Sequence, residues 1–164
     1  MKFRVAFLAL CTSAGVACAS EAEYLNRFEG AFEGKGQVRT SADGSPHNVT
    51  CKVSGDATET RVNLSGTCTA MAVFSRKIGA DLTVSPDGTY SGTYTGSKIG
   101  PAAITGRREG DQVVLTVNWP KPVNGDKRAK MVISNSGNGF SFAVEDEASP
   151  GGPVVRMTQV NLAR

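Results

Sequence analysis

Twice along this chain an aromatic residue and a glycine alternate on one face of an extended segment. Phe28, Gly30, Phe32 and Gly34 form the first set, and Tyr90, Gly92, Tyr94 and Gly96 the second. The residues between them are mostly polar, among them Glu29, Glu33 and Lys35, and Ser91, Thr93 and Thr95. Successive side chains of a strand point to opposite faces, so each segment reads as a strand with one wet side and one buried side. A flat sandwich strand would carry Val or Ile at the inward positions. Glycine there lets the strand bend toward the core while a neighbouring aromatic covers the gap. Sharp bending is what a small sheet needs in order to roll shut. The pattern therefore favours a barrel over its alternative, a two-layer β-sandwich.

Period-two runs continue through the chain, and no long period-3.6 segment interrupts them. Val49, Cys51 and Val53 share a face, as do Val62, Leu64 and Cys68; later runs include Leu82 and Val84, Val113 to Trp119, Ala129 to Ile133, and Phe140 with Phe142. Between them lie "SGDATE", "SPDG", "REGD", "VNGD", "NSGNG" and "SPGGP", all built from residues that accept tight or left-handed backbone. Short connections between alternating runs predict an all-β fold, a single antiparallel up-and-down barrel of about eight to ten strands. The least defined connection falls within Ala70 to Gly79. Before the first strand, "SEAEYLNRF" reads as a short helical turn or a loose arm, with Tyr24, Leu25 and Phe28 placed to pack over a barrel end.

The first residues read as an export signal. Lys2 and Arg4 precede an apolar run from Val5 to Val16, and Ala17 and Ala19 fit a small-residue cleavage pattern. The expected organisation is a signal peptide over residues 1–19 and one barrel domain over 20–164. The run is too short to span a bilayer, and no later stretch is long and apolar enough. The chain is expected in the periplasm or outside the cell, with a bacterial envelope as the working assumption. Lipid anchoring through Cys18 is the less favoured variant, because Gly15 stands where a leucine-like residue is usual. An oxidising compartment makes the remaining pair, Cys51 and Cys68, a disulfide across a hairpin. Closing so short a loop stabilises by roughly 3 kcal/mol in the chain-entropy account.

Without Lys2 and Arg4, sixteen basic residues face fifteen acidic ones. A nucleic-acid partner would need a strong basic excess, so none is expected. Catalytic and metal-binding sets are missing from the pattern as well. His47 is the single histidine, and no signature brings it a nucleophile. Two thiols and one histidine make no zinc spacing, and Glu145, Asp146 and Glu147 match no calcium loop and read as a solvated acidic run. Neither "GKGQVR" nor "GSKIGP" has the strand–loop–helix setting of a phosphate loop. No catalytic residue, metal or cofactor is assigned.

In a meander, successive connections alternate between the two barrel ends. The even-numbered ones are short, whereas the odd-numbered ones, "TSADGSPH", "GSKIGP", "PKPVNGDKR" and "EDEASPGGP", are longer and carry proline. Loops on a rigid scaffold commonly carry function, so the long-loop end is the expected contact surface. It would hold Trp119, Lys98, Lys121, Lys127 and Arg128, with Arg76 and Lys77 nearby. Trp119 would either plug the barrel or line its mouth, and the cations would meet an anionic ligand or partner. Arg107 and Arg108 fall at the other end and read as solvated turn charges.

An exported antiparallel barrel whose first strand alternates aromatic and glycine resembles, in architecture, the calycin-like barrels, lipocalins among them. The Gly-x-Trp signature of many lipocalins is absent, Phe32 standing where tryptophan would be. The size and disulfide are similar to those of small bacterial inhibitor barrels. With no catalytic set in the pattern, the expected role is that of a non-enzymatic binding protein of the cell envelope. It would hold a small apolar or amphipathic ligand against Phe28, Phe32, Tyr90, Tyr94 and Trp119, where glycines leave interior volume. The other expectation is a protein-interaction module, a periplasmic inhibitor or envelope-assembly factor, working through the long-loop end.

Overall fold

The computed structural model describes residues 21–164. The expected signal peptide over residues 1–19 and Cys18 lie outside the described residues. Ten strands follow one another: β1 (Gly30–Val38), β2 (His47–Ala57), β3 (Arg61–Ala70), β4 (Phe74–Val84), β5 (Thr89–Thr95), β6 (Ala102–Glu109), β7 (Gln112–Val123), β8 (Asp126–Asn135), β9 (Gly139–Glu147) and β10 (Val154–Ala163). Each pairs antiparallel with the next, and β1 pairs with β10 from Glu33↔Ala163 to Val38↔Thr158, which closes the barrel. Closure leaves no free sheet edge. The inward residues named from the sequence, Phe32, Cys51, Leu82, Tyr90, Val117, Met131 and Phe140, are all buried together, with Ile104 among them.

The structure corrects the expectation for the alternating glycines. Beside Gly34 and Gly92 the space is taken by a neighbouring strand's backbone, whereas Gly30 and Gly96 face only side chains. A Cβ at Gly34 would lie 1.8 Å from the Asn161 carbonyl oxygen, and one at Gly92 would lie 1.8 Å from that of Asp81. These glycines permit close strand approach; they do not enlarge the interior.

The even-numbered connections crowd one end, and a short helix, residues 21–26, caps it. Tyr24, Leu25 and Phe28 are buried in the cap, and Phe28 and Phe32 both pack edge-on against Phe140. Polar contacts fasten this lid. Arg108 Nε donates to the Glu21 carboxylate at 3.0 Å, the Tyr90 hydroxyl donates to the same carboxylate, and Arg27 pairs with Asp111 at 3.0 Å. Arg108 also lies over the Tyr24 ring, 4.8 Å from its centre. Burial pushes the Tyr24 and Tyr90 phenols well above their ordinary range. Arg108 is thus a fastening of the lid, not a solvated turn charge, whereas Arg107 stays exposed at the β4–β5 turn and pairs with Asp87.

At the opposite end lie the connections of residues 39–46, 71–73, 96–101, 124–125 and 148–153. The seventh connection is shorter than the sequence pattern implies. "PKPVNGDKR" belongs largely to β7 and β8, joined by a turn at Asn124 and Gly125, both at positive φ. Pro120 and Pro122 lack amide protons, so they interrupt the ladder between Asn118 and Val123 without ending the strand. The acidic run is also strand rather than loop. Glu145 pairs with Arg156 and Lys130, Glu147 accepts from the Gly151 amide, and Asp146 between them turns inward.

The β2–β3 register puts Cys51 directly opposite Cys68, and the two are disulfide-bonded. That bond points to an oxidising, extracytoplasmic setting. Among the described residues no helix is long and apolar enough to cross a membrane.

Candidate functional site

Mid-barrel, the packing leaves a gap. Val53, Leu64, Ile78, Ala80, Met131 and Phe140 line it together with Gly79, Tyr94, Ile133 and Phe142, so its walls are apolar apart from the tyrosine hydroxyl. The void proper is about 30 Å³, and the free space between its lining atoms, counted out to solvent, is about 390 Å³. A void of the smaller size holds one or two waters, yet apolar walls give water few partners. Ile78 and Tyr94 are only partly buried and lie on the side facing the long-loop rim.

From Tyr94 the site continues to Trp119, whose ring meets it edge-on at 6.3 Å between centroids. Trp119 faces inward from β7 and is only 8% exposed, yet its Nε1–H has no hydrogen-bond partner. Burial raises the Tyr94 phenol above its ordinary value, and the positive charge of Arg76 partly offsets this. Asp146 is 3% exposed, and its Oδ1 likewise has no partner. Its Oδ2 accepts from the Asn124 side-chain amide at 3.4 Å. Val117 pairs with Ala129, and Lys130 with Glu145, so continuing the register sets Asp146 on the inward row of Ala129 and Val117. Trp119 is one inward step from that row on β7. Two buried polar groups without partners thus stand near the same rim. Such groups are uncommon in folded proteins and costly when left unmet.

Asp146 makes this cost measurable. Desolvation, and then the nearby charge of Asp126, raise its carboxyl above the ordinary value. A folded-state pKa above the unfolded one means the native state holds the proton more tightly. The ionised carboxylate therefore weakens the fold above that raised pKa, and the penalty disappears once pH falls below the unfolded value. Asp146→Asn is expected to raise the unfolding midpoint at neutral pH, with the gain shrinking as the pH is lowered toward 4. Thermal melts of both proteins across pH 4–8 would check this.

The sequence-derived residues divide between the two ends. Tyr94 lines the void and Trp119 adjoins it. Phe28, Phe32 and Tyr90 belong to the packed core beneath the helical lid. Lys98, Lys121, Lys127 and Arg128 are exposed at or near the long-loop end, and none forms a salt bridge to another described residue. His47 is exposed where β2 begins. Among the described residues no group of three or more His, Cys, Asp or Glu could hold a metal ion. Sequence reasoning missed Asp146 as an inward group. Its only signal was the alternation from Phe140 and Phe142, which a dense acidic run obscures.

No family model matches the sequence, and no curated protein matches it. Among solved structures, the barrel is similar to the crystal structure of Rv2717c from M. tuberculosis. The TM-score is 0.68 over 88% of this chain and 96% of that one, at 14% identity. Likeness at that identity establishes the fold alone, a closed antiparallel β-barrel.

Proposed function

We propose that this chain is a non-enzymatic binding protein for a small apolar or amphipathic molecule, taken up from the long-loop end. The observation that carries the reading is an almost wholly apolar void whose Tyr94 meets Trp119, with the unpartnered Trp119 Nε1 and Asp146 Oδ1 set toward the same rim. Ligand sites commonly combine apolar walls with a few fixed polar groups. Val53, Leu64, Met131 and Phe140 would hold the apolar part. Trp119 Nε1–H would donate to an acceptor on the ligand, and Asp146 would accept from a donor. The resting void is smaller than such a ligand, so binding requires side chains to move aside. Met131 suits this because an unbranched thioether repacks at low cost. Phe28, Phe32 and Tyr90 then serve the lid and core that keep the other end shut.

The test uses 1-anilinonaphthalene-8-sulfonate, which brightens in apolar surroundings, with solvent extraction and mass spectrometry of the purified protein for resident molecules. Saturable dye binding should fall about tenfold or more, a loss of about 1.4 kcal/mol, when Ala80→Val fills the void. The melting temperature should stay near that of the wild type. Dye binding unchanged in Ala80→Val, together with empty extracts, would refute the reading.

A further inference from the structure

The β3–β4 hairpin ends in an apolar tip with no packing partner. Met71, Val73 and Phe74 are 66%, 74% and 65% exposed, three of the four large hydrophobic side chains exposed among the described residues. The tip turns through Met71 and Ala72 at φ 49° and 60°, closed by the Val73 amide on the Ala70 carbonyl. Two successive left-handed residues make the hairpin turn for which Asn-Gly is preferred. The same barrel uses Asn124–Gly125 at its β7–β8 turn. At β3–β4 it instead places a methionine and an alanine there and follows them with two bulky apolar residues. Water offers no reason for that choice.

On its β4 and β5–β6 side the tip is flanked by one sign of charge, while the β1–β2 connection on the other side holds Asp43 as well as Arg39. No Asp or Glu occurs from Gly66 to Ala80, or from Tyr94 to Thr105 in the neighbouring β5–β6 region. Arg76 and Lys77 stand exposed just behind Phe74, and Lys98 is exposed on the β5–β6 connection. Lys35 borders the surface groove that Met71 and Ala72 also line. None of Arg76, Lys77, Lys98 and Lys35 forms a salt bridge to another described residue. An apolar tip backed by cations complements a surface that is apolar inside and anionic outside, which is the chemistry of an anionic lipid bilayer.

We infer that the β3–β4 hairpin is a membrane-docking wedge. Met71, Val73 and Phe74 enter the acyl boundary, while Arg76, Lys77, Lys98 and Lys35 meet anionic headgroups. This goes beyond the ligand reading and does not depend on it. It presents the long-loop end of the barrel to the lipid surface.

Vesicle co-sedimentation of the full chain tests it, using phosphatidylcholine vesicles with and without about 30% phosphatidylglycerol. The wild type should bind the anionic vesicles about tenfold or more tightly, with the advantage reduced by salt. Met71→Ser/Val73→Ser/Phe74→Ser should lose about tenfold of binding to both vesicle types. Arg76→Glu/Lys77→Glu should lose the preference for anionic lipid and keep a weak residual affinity. All these surface variants should melt within a few degrees of the wild type, and the apolar N-terminal run common to them cancels in the comparison. Failure of the wild type to bind, or equal binding by both variants, overturns the inference. So does concentration-dependent self-association abolished by the triple-serine variant without any vesicle binding, which would assign the tip to a protein contact.

Discussion

Gly92→Ala should destabilise the barrel nearly as much as Gly92→Val, by about 3 kcal/mol or more, enough to prevent folding in a marginal background. The reason lies in the first carbon of any side chain. A Cβ on Gly92 would sit 1.8 Å from the Asp81 carbonyl oxygen and 3.1 Å from the Leu82 Cα, and these are backbone atoms of β4 with no rotamer to yield. The strand would have to move away by more than an ångström, breaking the register that pairs Gly92 with Leu82 on one side and Ile104 on the other. A glycine kept only to leave room for a ligand would behave differently. Gly92→Ala would then cost a few tenths of a kcal/mol, or stabilise through the unfolded chain, and would act on binding instead. Denaturant unfolding of the wild type, Gly92→Ala and Gly92→Val separates the two, with Ser91→Val on the exposed face as the tolerated neighbour. An alanine variant of near-wild-type stability would refute the backbone-approach account.

The contrast shows what could be read from the chain before its structure. Period-two alternation gave the inward residues, because a closed barrel buries one face of every strand and a one-residue slip would expose them all. The turn sequences with Gly, Asp and Asn marked connections because left-handed backbone demands them. The connection that stayed undefined, between Ala70 and Gly79, is the one whose left-handed positions are filled by Met71 and Ala72. It carries no turn signature because ordinary turn preference was not what set those residues. Prolines misled in the opposite direction. Pro120 and Pro122 remove ladder donors, but β7 can extend past the ladder break, so a loop signal sits inside a strand. At the site, an aromatic such as Tyr94 could be placed on the inward face from spacing alone. The partnerless state of Trp119 Nε1 and Asp146 Oδ1 could not, because it depends on which groups from distant strands arrive within reach.

Replacing both cysteines, as Cys51→Ala/Cys68→Ala, is expected to lower stability by about 3 kcal/mol. For a domain of this size that corresponds to a fall in melting temperature of roughly 6–12 °C. The bond joins residues separated by 17 positions in sequence, so its effect in the chain-entropy account comes mainly from restricting the unfolded hairpin. It also sits where the native state has little freedom to adapt. Cys51 is fully buried, and the two residues face each other across β2 and β3. The double variant keeps two small apolar side chains in place and avoids leaving a lone thiol to form mixed disulfides. Its circular dichroism should therefore remain that of the closed barrel at room temperature. Wild-type protein unfolded and refolded in reductant should melt with the double variant, because both lack the same cross-link. The turn at the far end of the hairpin already brings β2 and β3 together, with the Thr58 amide bonded to the Arg61 carbonyl at 2.8 Å. If that turn alone held the hairpin closed in the unfolded chain, the cross-link would restrict almost nothing further. A loss below about 1 kcal/mol would show this and sink the unfolded-state account.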